Sequence, residues 1–242
     1  MTPTRPAITR RVLLLACLGA GVVYGLNAPM TTRQGVNFKV STQAVPLYVK
    51  TLDFLHRHAH YQLLAKEITQ DLHSDRERVV AVFVWTRQHI RPTPKGWPVV
   101  DDHILNIIIR GHGIDDQRAD VFTTLSTYAG VPAFWRTQKV SDSRYRLVLS
   151  FARVGGRWVV FDVANGFMFT NGSGDLASAE ELGAAPQLVR LTVGDFQYGD
   201  GPYERYFASL SSLKVPWTLR AQLQMPWPRV WSEVRRMVGL GT

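Results

Sequence analysis

The residue types that could do covalent or metal chemistry are few, and most stand in the wrong part of the chain. The only cysteine is Cys17, so neither an intrachain disulfide nor a multi-cysteine zinc site can form. The seven histidines, His56, His58, His60, His73, His89, His103 and His112, all precede Gly113. Within the HRHAH run only His56 and His60 share a helical face, and a tetrahedral site needs further ligands. That run reads as an exposed polar turn, and no metal or other cofactor is expected. Asn171-Gly172-Ser173 fits a glycosylation sequon, a tripeptide met often by chance. Carboxylates remain: Asp115 and Asp116 where a helix should begin, and Asp162 where a strand should end. At a helix start a carboxylate accepts hydrogen bonds from free N–H groups and complements the dipole, for about 1 kcal/mol. The other reading pairs Asp115 with Asp162 for acid–base chemistry on a glycan or peptide, as in a hydrolase or lyase. A helix N-terminus lowers a carboxyl pKa, whereas the acid of such a pair needs a raised one.

The elements that must position these groups are legible from periodicity. Helical spacing runs from Leu47 to about Leu72, with Leu52, Leu55, Leu63 and Leu64 as apolar anchors. A second helix follows Ser74-Asp75 and places Val79, Val82, Phe83 and Ile90 on one face, with Pro92 just beyond its end. Residues 92–101 read as a Pro-rich loop. The clearest helix starts near Asp115, buries Ala119, Phe122, Leu125 and Ala129, and stops at Gly130 with Pro132 after it. The period then becomes two. Strands are expected over Ala133 to Gln138, Arg146 to Val154 and Arg157 to Val163, the last two joined by a Gly155-Gly156 hairpin turn. Leu147, Leu149 and Phe151 share a face. Residues 170–187 read as a surface loop with a helical turn near Ser178 to Leu182. Helices followed by an antiparallel sheet define an α+β domain over about residues 45–200.

The string RGHGIDDQRADVFTTLSTYAGVPA and the later GGRWVVFD resemble the transglutaminase-like superfamily, whose members are papain-like cysteine enzymes. The resemblance spans roughly residues 75–166. It rests most on Gly113 to Ala119, Ala129 to Ala133 and Gly156 to Asp162. It implies a helix whose N-terminal cysteine attacks a carbonyl, a histidine on the next strand but one, and an aspartate that orients the histidine. Mapped onto this chain, the nucleophile position is Asp115, the histidine position is Leu147 (or Arg146), and only Asp162 matches. Losing one such group typically costs about 10⁴ to 10⁶ in rate, so thiol acyl transfer is excluded and a pseudoenzyme is expected. Asp116, Gln117, Arg146 and Trp158 are candidates for lining the remaining groove, which would hold a peptide or a polysaccharide. A purely architectural envelope protein would have no open groove.

The ends of the chain point to a membrane. Arg5, Arg10 and Arg11 precede the uncharged run Val12 to Leu26, the pattern of a secretory signal or signal anchor. Fifteen residues make about 22 Å of helix, short of the ~30 Å hydrocarbon core, though extension to Met30 admits only Asn27 and Pro29 as awkward members. Residues 1–30 are therefore read as a signal anchor, with the domain on the exported, periplasmic side of the cell membrane. Residues 31–44 read as a polar linker. Residues 201–242 are basic and carry Trp217, Trp227 and Trp231; after Pro228 a helix would set Val230, Trp231, Val234, Met237 and Val238 against a polar face. Such a helix either lies on an anionic membrane or docks on its own domain. Lys and Arg outnumber Asp and Glu by 28 to 19, a formal charge of +9. That excess is spread along the chain without a nucleic-acid motif, so no nucleic-acid partner is expected. The 45% hydrophobic and 19% charged composition excludes a disordered, collagen-like or coiled-coil chain.

Overall fold

The computed structural model describes residues 5–101, 103–141 and 143–239, with side chains from Val12 onward. Its first half runs α1 (Arg5–Leu26), β1 (Pro29–Val36), β2 (Lys39–Pro46), α2 (Leu47–Thr69), α3 (Asp75–His89), β3 (Arg91–Pro92), β4 (Val100–Asp101), α4 (Ile104–Arg110) and β5 (His112–Gly113). The second half runs α5 (Asp115–Tyr128), β6 (Ala133–Lys139), β7 (Arg146–Val154), β8 (Arg157–Asp162), β9 (Phe167–Met168), α6 (Ala179–Ala184), α7 (Gln187–Val193), β10 (Gln197–Tyr198), β11 (Gly201–Pro202) and α8 (Pro226–Met237). The fold is the α+β arrangement expected, helices first and then an antiparallel sheet in the order β6-β7-β8-β9.

That sheet is buried on both faces. One face, with Ala133, Ala152, Val159 and Phe161, packs against α2, α3 and α5 through Tyr61, Val79, Phe83 and Phe122. The other face, with Leu147, Leu149, Phe151 and Val160, packs against the chain beyond β9 through Leu182, Val189, Tyr203 and Phe207. The period of two in β7 thus divides its residues between two cores.

Local chemistry accounts for the element boundaries. Ser74 and Glu77 form a reciprocal capping box at the start of α3, satisfying two orphan donors. Gly130 takes a left-handed φ of +87° and its neighbour Val131 donates back to the Ser126 carbonyl at 2.9 Å, which terminates α5. Gly155 and Gly156 both have positive φ, as a tight hairpin turn between β7 and β8 requires. Almost all of α5 is enclosed, polar residues included. The Thr123 hydroxyl donates to Ala119 O at 2.9 Å and that of Thr127 to Thr123 O at 2.8 Å, so these groups are buried without being left unpaired.

Four expectations need correction. Residues 31–44 are not a linker but most of the β1–β2 hairpin, paired from Pro29↔Pro46 to Val36↔Lys39. Asn37 and Phe38 turn it with positive φ, and the β-branched Thr and Val residues carry it although most of its side chains face solvent. In α2 the inward face is that of Tyr61 and Ala65 with Leu64 and Ile68 beside them; Leu52, Leu55 and Leu63 are 63%, 46% and 66% exposed. The supposed 92–101 loop is held by β3 and β4, which pair with β5 and β1. The segment from residue 201 is not merely a tail: Tyr203, Tyr206, Phe207 and Leu210 are core residues.

At the N-terminus α1 is a single helix whose described apolar side chains are exposed, Leu13, Leu14, Leu15 and Leu18 among them. Among the described residues no helix is long and apolar enough to cross a membrane.

Candidate functional site

The position where a nucleophile would stand is the first residue of α5. Ile114 is the N-cap and supplies no side-chain hydrogen bond. Gln117 closes the helix end instead. Its Oε1 accepts from the Ile114 N–H at 3.2 Å and from the Arg110 guanidinium at 3.1 Å, while its Nε2 donates to Val100 O at 2.6 Å. A Cβ at position 113 would stand 3.0 Å from the Gln117 Cβ, so Gly113 is what lets Gln117 fold back. Gln117 is therefore committed to the backbone and does not line a groove. Nor is the cap Asp115's, as the sequence suggested. Asp115 is exposed, next to a half-buried Asp116 whose Oδ1 is enclosed without a hydrogen-bond partner.

Asp162 ends β8 and is fully enclosed. Its Oδ1 accepts from the Asn165 N–H at 2.8 Å, and its Oδ2 accepts from Asn165 Nδ2 at 2.7 Å and from the Tyr203 hydroxyl. Both oxygens are spoken for. Arg118, one turn into α5, donates to Ile90 O at 3.1 Å and to Ala164 O at 2.6 Å, tying the turn after Asp162 to the end of α3.

The position expected for the histidine, Leu147, is apolar and buried. Ser150 pairs with Phe161, so continuing the register by one sets Leu149 opposite Asp162, with Leu147 next on the same face. Both leucines are buried. The volume beside them is filled by aromatic rings from beyond β9: Tyr203 lies 5.8 Å from Phe167, 5.4 Å from Phe196 and 5.2 Å from Phe207. Tyr203 is thus the hydroxyl partner of the Asp162 carboxylate. Tyr198 sits 6.2 Å from Tyr203 and donates to the Arg146 carbonyl at 3.0 Å; the Arg146 side chain is exposed. Trp158 lies toward the other end of β8, against Phe134 at 5.0 Å, and is not part of this cluster.

The electrostatics follow from enclosure. Burial raises the Asp162 carboxyl, against the lowering effect of the Asn165 and Tyr203 donors. Dense surroundings raise Asp115 as well; Arg118 lowers it and Asp116 raises it again. That direction is opposite to the one expected from the helix dipole alone. Burial lowers Arg118, partly offset by Asp115 and Asp162. Tyr198 is pushed up to about 12, by burial first and then by Asp115 and Asp162. Asp115, Asp162, Arg118 and Tyr198 therefore share one electrostatic neighbourhood. Sequence reasoning anticipated only the two aspartates. Arg118 stood inside the quoted motif, and Asn165 lies three residues beyond the aspartate that ends it. Tyr198 and Tyr203 gave no local signal.

The histidines of α2 make contacts of their own. His56 and His60 meet at 3.0 Å on the outside of α2, and His58 contacts the Tyr128 hydroxyl at 2.7 Å. Among the described residues no group of three metal-capable side chains gathers. An open pocket of about 300 Å³ lies against α3, lined by Val84, Arg87, Gln88 and Arg91. It adjoins the turn after Asp162, because a Cβ on Gly166 would stand 2.5 Å from Arg87 Nε.

The family description "Transglutaminase-like superfamily" matches residues 62–163, which contain α3, α5 and β6 to β8. No curated protein matches the sequence. Among solved structures, the chain is similar to a candidate cysteine protease from Cytophaga hutchinsonii, at 17% identity and TM-score 0.38 over 44% of this chain and 37% of that one. It is similar to a candidate protease from Parabacteroides distasonis, at 10% identity and TM-score 0.37 over 55% and 35%. A structure described as a TGase aligns at 15% identity and TM-score 0.34 over 71% and 50%. The chain spans between about a third and a half of the length of these proteins.

Proposed function

We propose that this chain, whose residues 62–163 match the description "Transglutaminase-like superfamily", has a binding or scaffolding role without thiol catalysis. The observation that carries this reading is the pair of replacements at the chemical centre. Asp115 stands at the nucleophile position and Leu147 at the histidine position, while Asp162 is sealed by Asn165 and Tyr203. A carboxylate at the helix start is a far weaker nucleophile than a thiolate, and a leucine carries no proton. The carboxylate-pair hydrolase or lyase draws support from the raised Asp115 and Asp162 carboxyls. The enclosure of Asp162 weighs more, since a catalytic carboxyl must reach its substrate.

The surface offered for binding in this reading is the pocket on α3 beside the Asp162 turn. Arg87 and Arg91 line it, with Val84 and Gln88 between them, so an acidic glycan or acidic peptide fits its charge. Arg5, Arg10 and Arg11 followed by the exposed apolar side chains of α1 support attachment of the chain to the cell membrane by its N-terminus, with the domain on the periplasmic side. Photoreactive residues at Gln88 and Asp115, introduced one at a time in cells, test the binding role. Capture of an acidic glycan or peptide from position 88, lost in Arg87→Glu/Arg91→Glu, is expected. Loss of cellular function in a folded Asp115→Ala protein, with substrate accumulating, would favour catalysis instead.

A further inference from the structure

Helix α8 is the most strongly two-sided element of the chain. At 100° per residue, Trp227, Val230, Trp231, Val234, Met237 and Val238 fall within one arc of about 120°. Arg229, Ser232, Glu233, Arg235 and Arg236 fill the remainder. The apolar arc is not spent on the protein's own core: Trp227 is 81%, Trp231 59% and Met237 77% exposed. Among the described residues the main contact of α8 is with the 3-10 turn Gln222–Gln224 directly before it. Docking on its own domain, one of the two expectations for this segment, is thereby removed.

We infer that α8 lies in the plane of an anionic lipid surface, with its Trp-bearing face in the interface and its arginines toward the headgroups. Three observations favour this occupant. From Lys214 to the end the chain carries Lys214, Arg220, Arg229, Arg235 and Arg236 against Glu233 alone, a complement to anionic headgroups. Glu233 is paired with Arg229 at 2.9 Å and Arg236 at 2.6 Å, so its charge does not oppose the approach. Arg235 lies over the Trp231 ring at 5.4 Å, at the seam between the apolar and basic faces where interfacial aromatics sit. The placement also suits a second attachment to the membrane proposed for α1. The turn preceding α8 is fastened by the Tyr128 hydroxyl donating to Gln224 O, and Tyr128 meets His58 of α2. The end of α1 joins the start of α2 through Leu47 N donating to Ala28 O. His58 lies about 16 Å along α2 from Leu47.

This inference rests on the membrane reading of α1, and the single cysteine allows the two to be tested separately. Cys17 lies in α1 and is exposed. A polarity-sensitive fluorophore on Cys17 of the full chain reports α1. The same fluorophore on Val234→Cys in a Cys17→Ser background reports α8. Both are mixed with phosphatidylcholine vesicles, with and without about a third phosphatidylglycerol. The label at position 234 should blue-shift and brighten several-fold on the anionic vesicles alone, weaken with salt, and lose the response in Arg229→Glu/Arg235→Glu/Arg236→Glu. A silent label at 234 beside a responding label at 17 overturns the inference and spares α1. A response at 234 equal on neutral vesicles, or present before lipid is added, also overturns it, the latter indicating a second copy of the chain. Failure of the Cys17 label alone counts against the α1 reading only.

Discussion

Replacing Tyr203 by Phe removes one atom and tests the sealed site. The ring is fully buried among Phe167, Phe196 and Phe207, and Phe keeps that packing. What disappears is the hydroxyl that donates to Asp162 Oδ2. A hydrogen bond to a charged acceptor contributes about 1.5–3 kcal/mol, and a neutral one about 1 kcal/mol. At neutral pH the variant should therefore lose about 2 kcal/mol if Asp162 is ionised. The Tyr203 donor lowers the Asp162 carboxyl that burial raises, so its removal raises that carboxyl further and favours its protonated form. In an Asp162→Asn background the same change should cost about 1 kcal/mol, the difference being the coupling energy of the pair. Equilibrium urea unfolding of the four proteins supplies the cycle. Coupling near zero, with Tyr203→Phe costing less than about 0.5 kcal/mol in both backgrounds, would refute the account of Tyr203 as the partner that seals Asp162.

Four further outcomes follow from the same geometry. Because burial raises Asp162 above its unfolded value, the neutral form stabilises the fold at low pH. That contribution is complete below the ordinary carboxyl pKa and is lost as pH rises through the raised one, so wild type should lose ground to Asp162→Asn by up to about 1.4 kcal/mol per pH unit within that window; a flat or inverted difference on unfolding both between about pH 4 and about pH 8 would contradict it. Asp115→Asn should leave stability at neutral pH unchanged or slightly higher, because the surroundings raise the carboxyl against the helix dipole and Gln117 makes the cap; a loss above about 2 kcal/mol would contradict that assignment. Leu63→Ala, on the exposed side of α2, should shift stability by less than about 0.5 kcal/mol, whereas Leu125→Ala in α5 should cost about 2–5 kcal/mol, by chemical denaturation. Gly183→Ala drives a Cβ to 2.2 Å from the Ser211 backbone nitrogen in the 3-10 turn Ala208–Ser212; overpacking of that kind costs about 1–3 kcal/mol, and an unchanged melting temperature would show that α6 does not press on that turn.

The parts of the fold that were legible in the sequence are those where one residue type does one local job. Ser74 with Glu77, Gly130 after Ala129, and Gly155-Gly156 mark boundaries because capping and positive φ leave few alternatives. The alternation of Leu147, Leu149 and Phe151 survives because a strand between two cores buries them in a fixed register. Helix α2 was misread because its leucines outnumber the residues that pack, and Tyr61 and Ala65 are chosen by what α5 and α4 present, which lies far away in sequence. The β1–β2 hairpin was missed because its polar side chains mimic a linker while Asn37 and Phe38 set the turn through backbone conformation. At the site, Asp115 and Asp162 were visible as motif positions. Tyr198 and Tyr203 were not, since they reach the neighbourhood of Asp162 from a segment whose place is set by tertiary packing.

The claim at the centre of this account is that the domain holds its shape without forming an acyl intermediate. Intact-mass spectrometry of the full chain, incubated with a glutamine peptide and an amine and then quenched, addresses it directly. The account predicts the unmodified mass and no coupled product at any time point. A mass increase matching an acyl adduct on Asp115 or Cys17, discharged by the amine with turnover, would contradict it.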